Sequence, residues 1–166
     1  MKQDVVKKEV VKLVTFQLGQ DLFAADIFSV ERVVHYAPSS SVPDMPEWIE
    51  GVLEHRGKVI PVVDMRRRIA IPITEITPQT RILVLTTPDG WVGAVVDAVL
   101  EVAIVAATDV SPPPALFHGL PGQFIRGIAK VGEKLIVILE IDRVLASADR
   151  IVFDRAIQAA QGAGRD

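Results

Sequence analysis

The chain has no cysteine among its 166 residues. That absence excludes disulfides, thiolate catalysis and cysteine-ligated zinc, and it suits a reducing compartment. Aromatic residues make up only 5% of the sequence although 49% of it is hydrophobic, so we expect a core built mainly from aliphatic side chains. Much of this apolar content is Val and Ile, which favour β-strands. A composition this apolar excludes a chain that is mostly disordered.

Signals for export and membrane insertion are also lacking. Residues 1–12 alternate charges with valines and do not form the continuous apolar segment of a signal peptide. No stretch approaches the roughly 18 apolar residues that a membrane-spanning helix needs. The net charge of −3 gives no broad attraction to nucleic acid or to anionic lipid. We therefore expect a cytoplasmic protein without direct membrane insertion.

The sequence also lacks the motifs of common catalytic and cofactor sites. It contains neither a P-loop nor a G-x-G-x-x-G phosphate-binding turn. Its three histidines, His35, His55 and His118, occur singly and outside the spacings that bind metals. The serines at 39–41 lie in a loop without a nucleophile elbow. The sequence therefore predicts no catalytic residues, no cofactor and no metal site.

Two groups of charged residues are candidates for catalytic or ligand-binding roles. Asp64 and Asp97 each end an apolar strand, and equal places in two repeats favour a structural role, with each capping the turn that follows. The basic run 66–68 is expected at the solvated edge of a helical turn beside Asp64. A remote alternative uses that run in a barrel module that binds a small ligand or nucleic acid.

Short apolar segments separated by Gly and Pro turns predict a series of strands. We expect strands at residues 10–18, 22–25, 27–34, 51–55, 58–63, 81–87, 91–96, 99–105, 126–131 and 134–139. Helical turns are expected at 65–69 and 141–146, and a C-terminal helix at 148–160 with Asp149 as its cap. Residues 111–122, which contain three consecutive prolines, are expected to form a long loop.

An internal repeat is the most informative pattern. Residues 48–52 align without a gap on 124–128 at an offset of 76, and the match continues from 58–65 onto 134–141. Nearer the N-terminus, residues 23–25 align on 92–94 at an offset of 69. Each copy predicts about five short strands and a terminal helical turn. Sheets this small close most easily by curling into barrels, and the two copies should share an apolar interface.

Three segments resemble the CheW-like coupling proteins of bacterial chemotaxis. The first comprises Phe16 to Gly19, Phe23-Ala24 and residues 27–34. The second, residues 49–66, resembles the family core G-V-[IL]-N-L-R-G-x-[IV]-[IV]-P-[IV]-[IVL]-D-L-R, and residues 93–99 resemble its G-x-V-V-D-x-V strand. Matches at 112–113, 125–128 and 135–139 extend the likeness over most of the chain.

The resemblance implies a mainly β fold made of two pseudo-symmetric SH3-like five-stranded β-barrels that share a core, with short helical turns and a C-terminal helix. The implied CheW-like domain spans residues 10–148. Its first barrel unit covers approximately 10–69 and its second 81–146, allowing for strands exchanged between them. Residues 149–166 are expected to form the C-terminal helix and a frayed tail.

The same resemblance implies a non-enzymatic scaffold without a cofactor. Members of the family couple methyl-accepting chemoreceptors to the chemotaxis histidine kinase in signalling arrays. The expected partners are the kinase regulatory domain, the cytoplasmic receptor tips and other CheW-like subunits. By motif matching, the implied protein-binding residues are Val30, Arg32, Val33, Gly51, Arg56 and Val102.

Two departures from the family pattern bear on partner choice. The turn reads Glu54-His55-Arg56-Gly57 where N-L-R-G is usual, and Arg32 stands where a glutamate is usual. A reversed charge at a contact site tends to change the partner. The alternative function is therefore a divergent CheW-like paralogue that forms adaptor-only rings, or that serves an auxiliary chemosensory pathway without direct kinase binding.

Overall fold

The computed structural model describes residues 9–73, 75–117, 120–145 and 150–163. Its longer strands are β1 Val10–Leu18, β2 Asp21–Asp26, β3 Val30–His35, β4 Ile49–His55, β5 Lys58–Asp64, β6 Arg81–Thr87, β7 Gly90–Val96, β8 Ala98–Ala106, β12 Ile125–Val131 and β13 Lys134–Leu139. Two-residue strands are β9 Val110–Ser111, β10 Leu116–Phe117 and β11 Leu120–Pro121. The α-helices are α1 Met65–Arg68, α2 Ile141–Val144 and α3 Arg150–Ala163.

Two larger sheets carry the architecture. The strand order in the first is β8-β1-β2-β13-β12-β9, and in the second it is β3-β6-β7-β5-β4. Most neighbours are antiparallel, but β13 pairs with β2 and β5 with β7 in parallel. The predicted mainly β fold class, with two related sheets, short helical turns and a C-terminal helix, is confirmed.

Strand register reproduces the sequence repeat. Val14 pairs with Ala25 in the first sheet, and the residues 69 positions later, Leu83 and Ala94, pair in the second. The parallel contacts of β13 with β2 and of β5 with β7 obey the two sequence offsets as well. The two halves of the chain are therefore structural copies as well as similar sequences.

Each copy contributes strands to both sheets. The hairpin β1-β2 belongs to the first sheet, but the chain then enters the second sheet as β3, β4 and β5. The second copy does the reverse, because its hairpin β6-β7 lies in the second sheet and β8, β12 and β13 lie in the first. The two sheets are thus built jointly by the two copies, whereas the unit bounds at residues 69 and 81 stay a prediction.

Both sheets curl so that their edges approach each other. In the second sheet, the chain that leaves β3 pairs back on β4 through a bridge between Ser40 and Val52. In the first sheet, the chain leaves the edge strand β8 and reaches the opposite edge as β9 within a few residues. This curling is what small sheets do to protect open edges.

The largest apolar cluster lies between the two sheets. It contains residues from both copies, including Phe16, Phe23, Leu83 and Leu85, all of which are buried. Each sheet also carries a small apolar cluster of its own. The cluster in the first sheet contains Leu13, Ala24, Ala129, Ile136 and Ile138, and the cluster in the second contains Val62, Ile82 and Val95. A shared core is expected because a unit of this size buries too little apolar surface alone.

Two local predictions need correction. Residues 27–34 do not form one strand, because Ile27–Ser29 is a 3-10 helix that precedes β3. Its cause is local, since the Asp26 carboxylate accepts a hydrogen bond from the Phe28 N–H at 2.9 Å. The predicted loop at 111–122 contains the paired strands β10 and β11. The predicted cap Asp149 lies outside the described residues.

Helix α3 packs against β4 and β5. Phe153 and Ala156 on this helix are buried, and the Phe153 ring meets the Trp48 ring edge-on at 5.9 Å between centroids. Within the described ranges, no helix is both long and apolar enough to cross a membrane.

The expectation for Arg66 was wrong. Only 2% of this side chain is exposed, and it lies between two carboxylates. Its Nε and Nη2 donate to Asp64 at 2.9 and 3.1 Å, and its Nη1 donates to Asp97 at 3.0 Å. Burial lowers the pKa of Arg66, but hydrogen bonds and the charges of Asp64 and Asp97 more than offset it, so the pKa lies above its ordinary value.

Asp64 and Asp97 do not occupy equal places in the repeat. Asp64 caps α1 by accepting a hydrogen bond from the Arg66 N–H at 3.0 Å, as predicted, and its equivalent 76 positions later is Glu140. Asp97 lies between β7 and β8 and accepts a hydrogen bond from the Gly19 N–H at 2.6 Å. Through Arg66, the turn between β1 and β2 is therefore tied to the end of β5.

Replacing the buried arginine tests this connection. We expect Arg66→Met to lower the free energy of unfolding by about 3–5 kcal/mol, because two largely buried carboxylates lose their shared cation. Denaturant unfolding followed by circular dichroism measures the change. The control Arg67→Met, at a position with a side chain 41% exposed, should cost less than about 1 kcal/mol. Similar small losses for both variants would contradict the assignment.

Candidate protein-binding site

Arg56 lies at the tip of the hairpin formed by β4 and β5. His55 pairs with Lys58, so Arg56 and Gly57 form a two-residue loop. Both have positive φ, at 50° and 79°, as a type I′ turn requires. The left-handed conformation costs a non-glycine residue about 1–2 kcal/mol, so the turn is not optimised for stability at Arg56. Such a cost is typical of a residue kept for its side chain.

An ion pair joins the Arg56 side chain to strand β3. Its Nη1 lies 3.0 Å from Oε1 of Glu31 on β3, and the two side chains are 58% and 25% exposed. Glu31 and Arg56 belong to opposite edges of the second sheet. The pair therefore bridges the two edges, and it leaves much of the guanidinium accessible.

Strand β3 carries three of the predicted contact residues. Val30 is half-buried and packs against the shared core, whereas Arg32 and Val33 are exposed. A bulge between Val30 and Arg32 interrupts the pairing with β6, and Glu31 lies at this bulge. In the part of the chain that the structure describes, Arg32 makes no ion pair. The positive charge of Arg32, which stands where the family motif has a glutamate, is thus available to a partner.

Gly51 is buried and has a different place in the site. A Cβ built there would overlap the carbonyl oxygen of Ser40, whose main chain bonds Val52 in both directions at 3.0 Å. Nearby, Tyr36 and Ser39 donate hydrogen bonds to the Glu50 carboxylate, each at 3.1 Å. Burial, followed by the charge of Glu50, raises the pKa of Tyr36. Gly51 therefore permits the close packing of residues 36–40 on β4.

Val102 lies in the other sheet, on the edge strand β8. It is 51% exposed and pairs with Val14 of β1. Its position is equivalent to that of Val33 at the offset of 69, so the repeat places one exposed valine on each edge strand. The structure therefore gathers five predicted residues in the second sheet and places the sixth at a symmetry-related position in the first.

Motif matching missed two exposed neighbours of Val102. Leu100 and Ile104 are 49% and 65% exposed on the same strand. A signal for them was present in the sequence, because β8 carries apolar residues at nearly every position instead of alternating. An edge strand with an uncovered apolar row is a candidate contact surface.

His55 stands where the CheW-like motif usually has a leucine, and it is buried at the end of β4. It is 9% exposed, and its ring meets that of Trp91 edge-on with centroids 5.1 Å apart. Lys58 lies over the same indole at 5.3 Å. The imidazole thus packs as an apolar side chain would. Its Nε2 is buried, and no group among the described residues forms a hydrogen bond with it.

The three arginines at 66–68, on which the nucleic-acid alternative was based, all bond other residues of this chain. Arg66 is buried, and Arg67 pairs with Glu47 at 3.7 Å and with Asp64 at 3.6 Å. Arg68 donates to the Val144 carbonyl at 2.9 Å and stacks on two aromatic rings. Among the described residues, His, Asp and Glu side chains form no group of three suited to a metal ion.

Substituting Gly51 tests its role in packing. We expect Gly51→Ala to destabilise the fold by at least about 2 kcal/mol, because the methyl group meets main chain that cannot rotate away. Gly132→Ala is the matched control, since a Cβ at that turn glycine meets no atom of the described residues within 4 Å, and its φ of +63° is what opposes the change. Thermal unfolding of both variants measures the difference. The control should lose about 1–2 kcal/mol through its left-handed conformation alone. A loss below about 1 kcal/mol for Gly51→Ala would show that Ser40 yields easily.

Comparison with known proteins agrees with this geometry. The CheW-like domain family model matches residues 12–149. The chemotaxis protein CheW of Rhizobium meliloti is 30% identical over 139 residues, covering 84% of this chain and 90% of that protein. Protein FrzA of Myxococcus xanthus is 28% identical over 135 residues, covering 80% of this chain and 84% of that protein.

A solved structure shows the same architecture. The scaffolding protein TtCheW from Thermoanaerobacter tengcongensis superposes with a TM-score of 0.75 at 35% identity, covering 80% of this chain and 90% of that one. Helix α3 begins at Arg150, beyond the last residue that the family model matches. With its domain match, its relatives and its two interlocked sheets, the chain belongs to the CheW-like family.

Proposed function

We propose that this chain is a non-enzymatic cytoplasmic adaptor that couples methyl-accepting chemoreceptors to the chemotaxis histidine kinase. Family membership supports a scaffold role, and TtCheW is itself named a scaffolding protein. The observation that carries the proposal is Arg56, an accessible guanidinium held by Glu31 on a turn whose conformation disfavours arginine.

The proposed receptor site combines this cation with apolar surface. The cytoplasmic tip of a chemoreceptor is a helical hairpin in the family, and an apolar helix face suits the exposed valines on β3 and β8. Arg56 would hydrogen-bond a polar group at the rim of that contact. Val33 and Val102, which are 40% and 51% exposed, would lose accessible surface on binding.

The proposed kinase contact is inferred from the similar folds of the adaptor and the kinase regulatory domain. In the family, the kinase regulatory domain has the same fold as the adaptor, so a pseudo-symmetric contact between the two domains generates rings. A second candidate is an adaptor that forms rings only with CheW-like subunits or serves an auxiliary pathway. The observation that favours it is Arg32, whose exposed cation carries no ion pair among the described residues.

Reversing the charge of Arg56 tests the receptor contact. We expect Arg56→Glu to keep the fold and to weaken binding of a receptor-tip fragment at least ten-fold, because a partner hydrogen bond to a charged group is lost. Calorimetric titration measures both this affinity and that for the kinase regulatory domain, which should remain unchanged. Arg155→Glu, at an exposed position of α3, is the matched control.

A charge swap separates direct contact from internal pairing. The double variant Glu31→Arg, Arg56→Glu restores an ion pair of opposite orientation at the same place. If Arg56 contacts the receptor, binding stays lost in the double variant. Recovery of binding would show that the internal ion pair alone matters, and unchanged binding by folded Arg56→Glu would move the site elsewhere.

A further inference from the structure

His55 is a buried titratable side chain at the tip of the β4–β5 hairpin. It is 9% exposed, and its imidazole meets the Trp91 indole edge-on with 5.1 Å between the ring centroids. Across the hairpin it pairs with Lys58, and Arg56 is the next residue along the chain. The imidazole therefore packs beneath the two-residue loop that presents the Arg56 guanidinium.

The surroundings of this ring suit its neutral form. Nε2 is buried, and no group among the described residues forms a hydrogen bond with it. A neutral imidazole leaves one nitrogen as an unprotonated lone pair, whereas an imidazolium carries an N–H donor on both nitrogens. Protonation of His55 in this position would bury a charged donor without an acceptor, which costs more than burying an unpaired neutral group.

Two cations lie close to the imidazole. The Lys58 ammonium lies 5.3 Å from the centroid of the Trp91 indole, the ring that His55 also contacts. Arg56 follows His55 directly, and its guanidinium is 58% exposed. An imidazolium would add a third positive charge to this tip, and like charges at such short range repel.

Three carboxylates lie near the tip, and none of them bonds the ring. Glu31 on β3 pairs with Arg56 at 3.0 Å. Glu54 precedes His55 on β4, so its side chain points to the opposite face of the strand. Asp89, in the turn between β6 and β7, borders the same cavity as Trp91. Within the described ranges, His55 makes neither an ion pair nor a hydrogen bond with a carboxylate.

We propose that His55 is a proton-sensitive switch that controls the β4–β5 tip. The neutral ring packs on Trp91 and keeps the tip closed. A proton taken up from solvent favours an open tip, in which water solvates the imidazolium. The leucine of the CheW-like motif takes up no proton, so the switch depends on the histidine of this chain. If Arg56 contacts a receptor as proposed above, acid weakens that contact, but the switch itself does not depend on that assignment.

Fluorescence and NMR of the full chain test the switch. Trp48→Phe leaves Trp91 as the only tryptophan, and the repeat has Phe124 at the equivalent position. Between about pH 8 and about pH 5.5, we expect the Trp91 emission to move to longer wavelength in step with protonation of His55, followed through its ring Cε1–H resonance. At the lower pH, amide hydrogen exchange at residues 54–59 should be at least about five-fold faster than in His55→Leu.

Two histidine variants decide the outcome. His55→Leu should abolish the emission change, because leucine fills the same apolar site without taking up a proton. His35→Leu removes an exposed histidine on β3 and should keep the change. The amide spectrum of each variant shows whether it is folded, and the His55 titration in the unsubstituted chain needs no variant.

Three results would overturn the proposal. The first is an emission change that persists in folded His55→Leu. The second is a His55 ring that stays neutral down to about pH 5.5. The third is a ring that becomes protonated while the Trp91 emission and the exchange of the tip amides stay unchanged.

Discussion

The buried guanidinium of Arg66 is the contact on which the arrangement of the two sheets depends. It lies after β5 in the second sheet and bonds Asp97, which in turn holds the turn between β1 and β2 of the first sheet. An arginine in this environment is stabilising only while its carboxylates are in place, since removing one partner leaves a buried charge. The ion network therefore fixes how the sheets meet, and the apolar cluster between them supplies most of the burial energy.

This junction also determines where the binding surfaces lie. Each copy of the repeat crosses from one sheet to the other. The first strand after the crossing is β3 in the first copy and β8 in the second, and each of these strands lies at the edge of its sheet. Edge strands present side chains and unpaired main chain to partners, and here they carry Val33 and Val102 at equivalent positions. The hairpin that bears Arg56 is then anchored to β3 through Glu31.

Local patterns in the sequence were sufficient for the hairpins. Strands β1 and β6 match their predicted ranges, because turn residues such as Gly19 and the Pro88-Asp89-Gly90 segment bound runs of apolar residues. The burial of Arg66 was missed since three consecutive arginines indicate a solvated surface unless a distant carboxylate is known to be near. Asp97 is 31 residues away along the chain. The packing of Ser40 on Gly51 is likewise long-range information that no local pattern contains.

The most direct test of the adaptor account is co-sedimentation of the histidine kinase with receptor-bearing membranes, with and without this chain. The account predicts that the kinase pellets with the membranes only when the chain is present, in amounts that saturate as the chain is added. It would be contradicted if the chain itself pelleted with the receptors while the kinase stayed in the supernatant at every concentration.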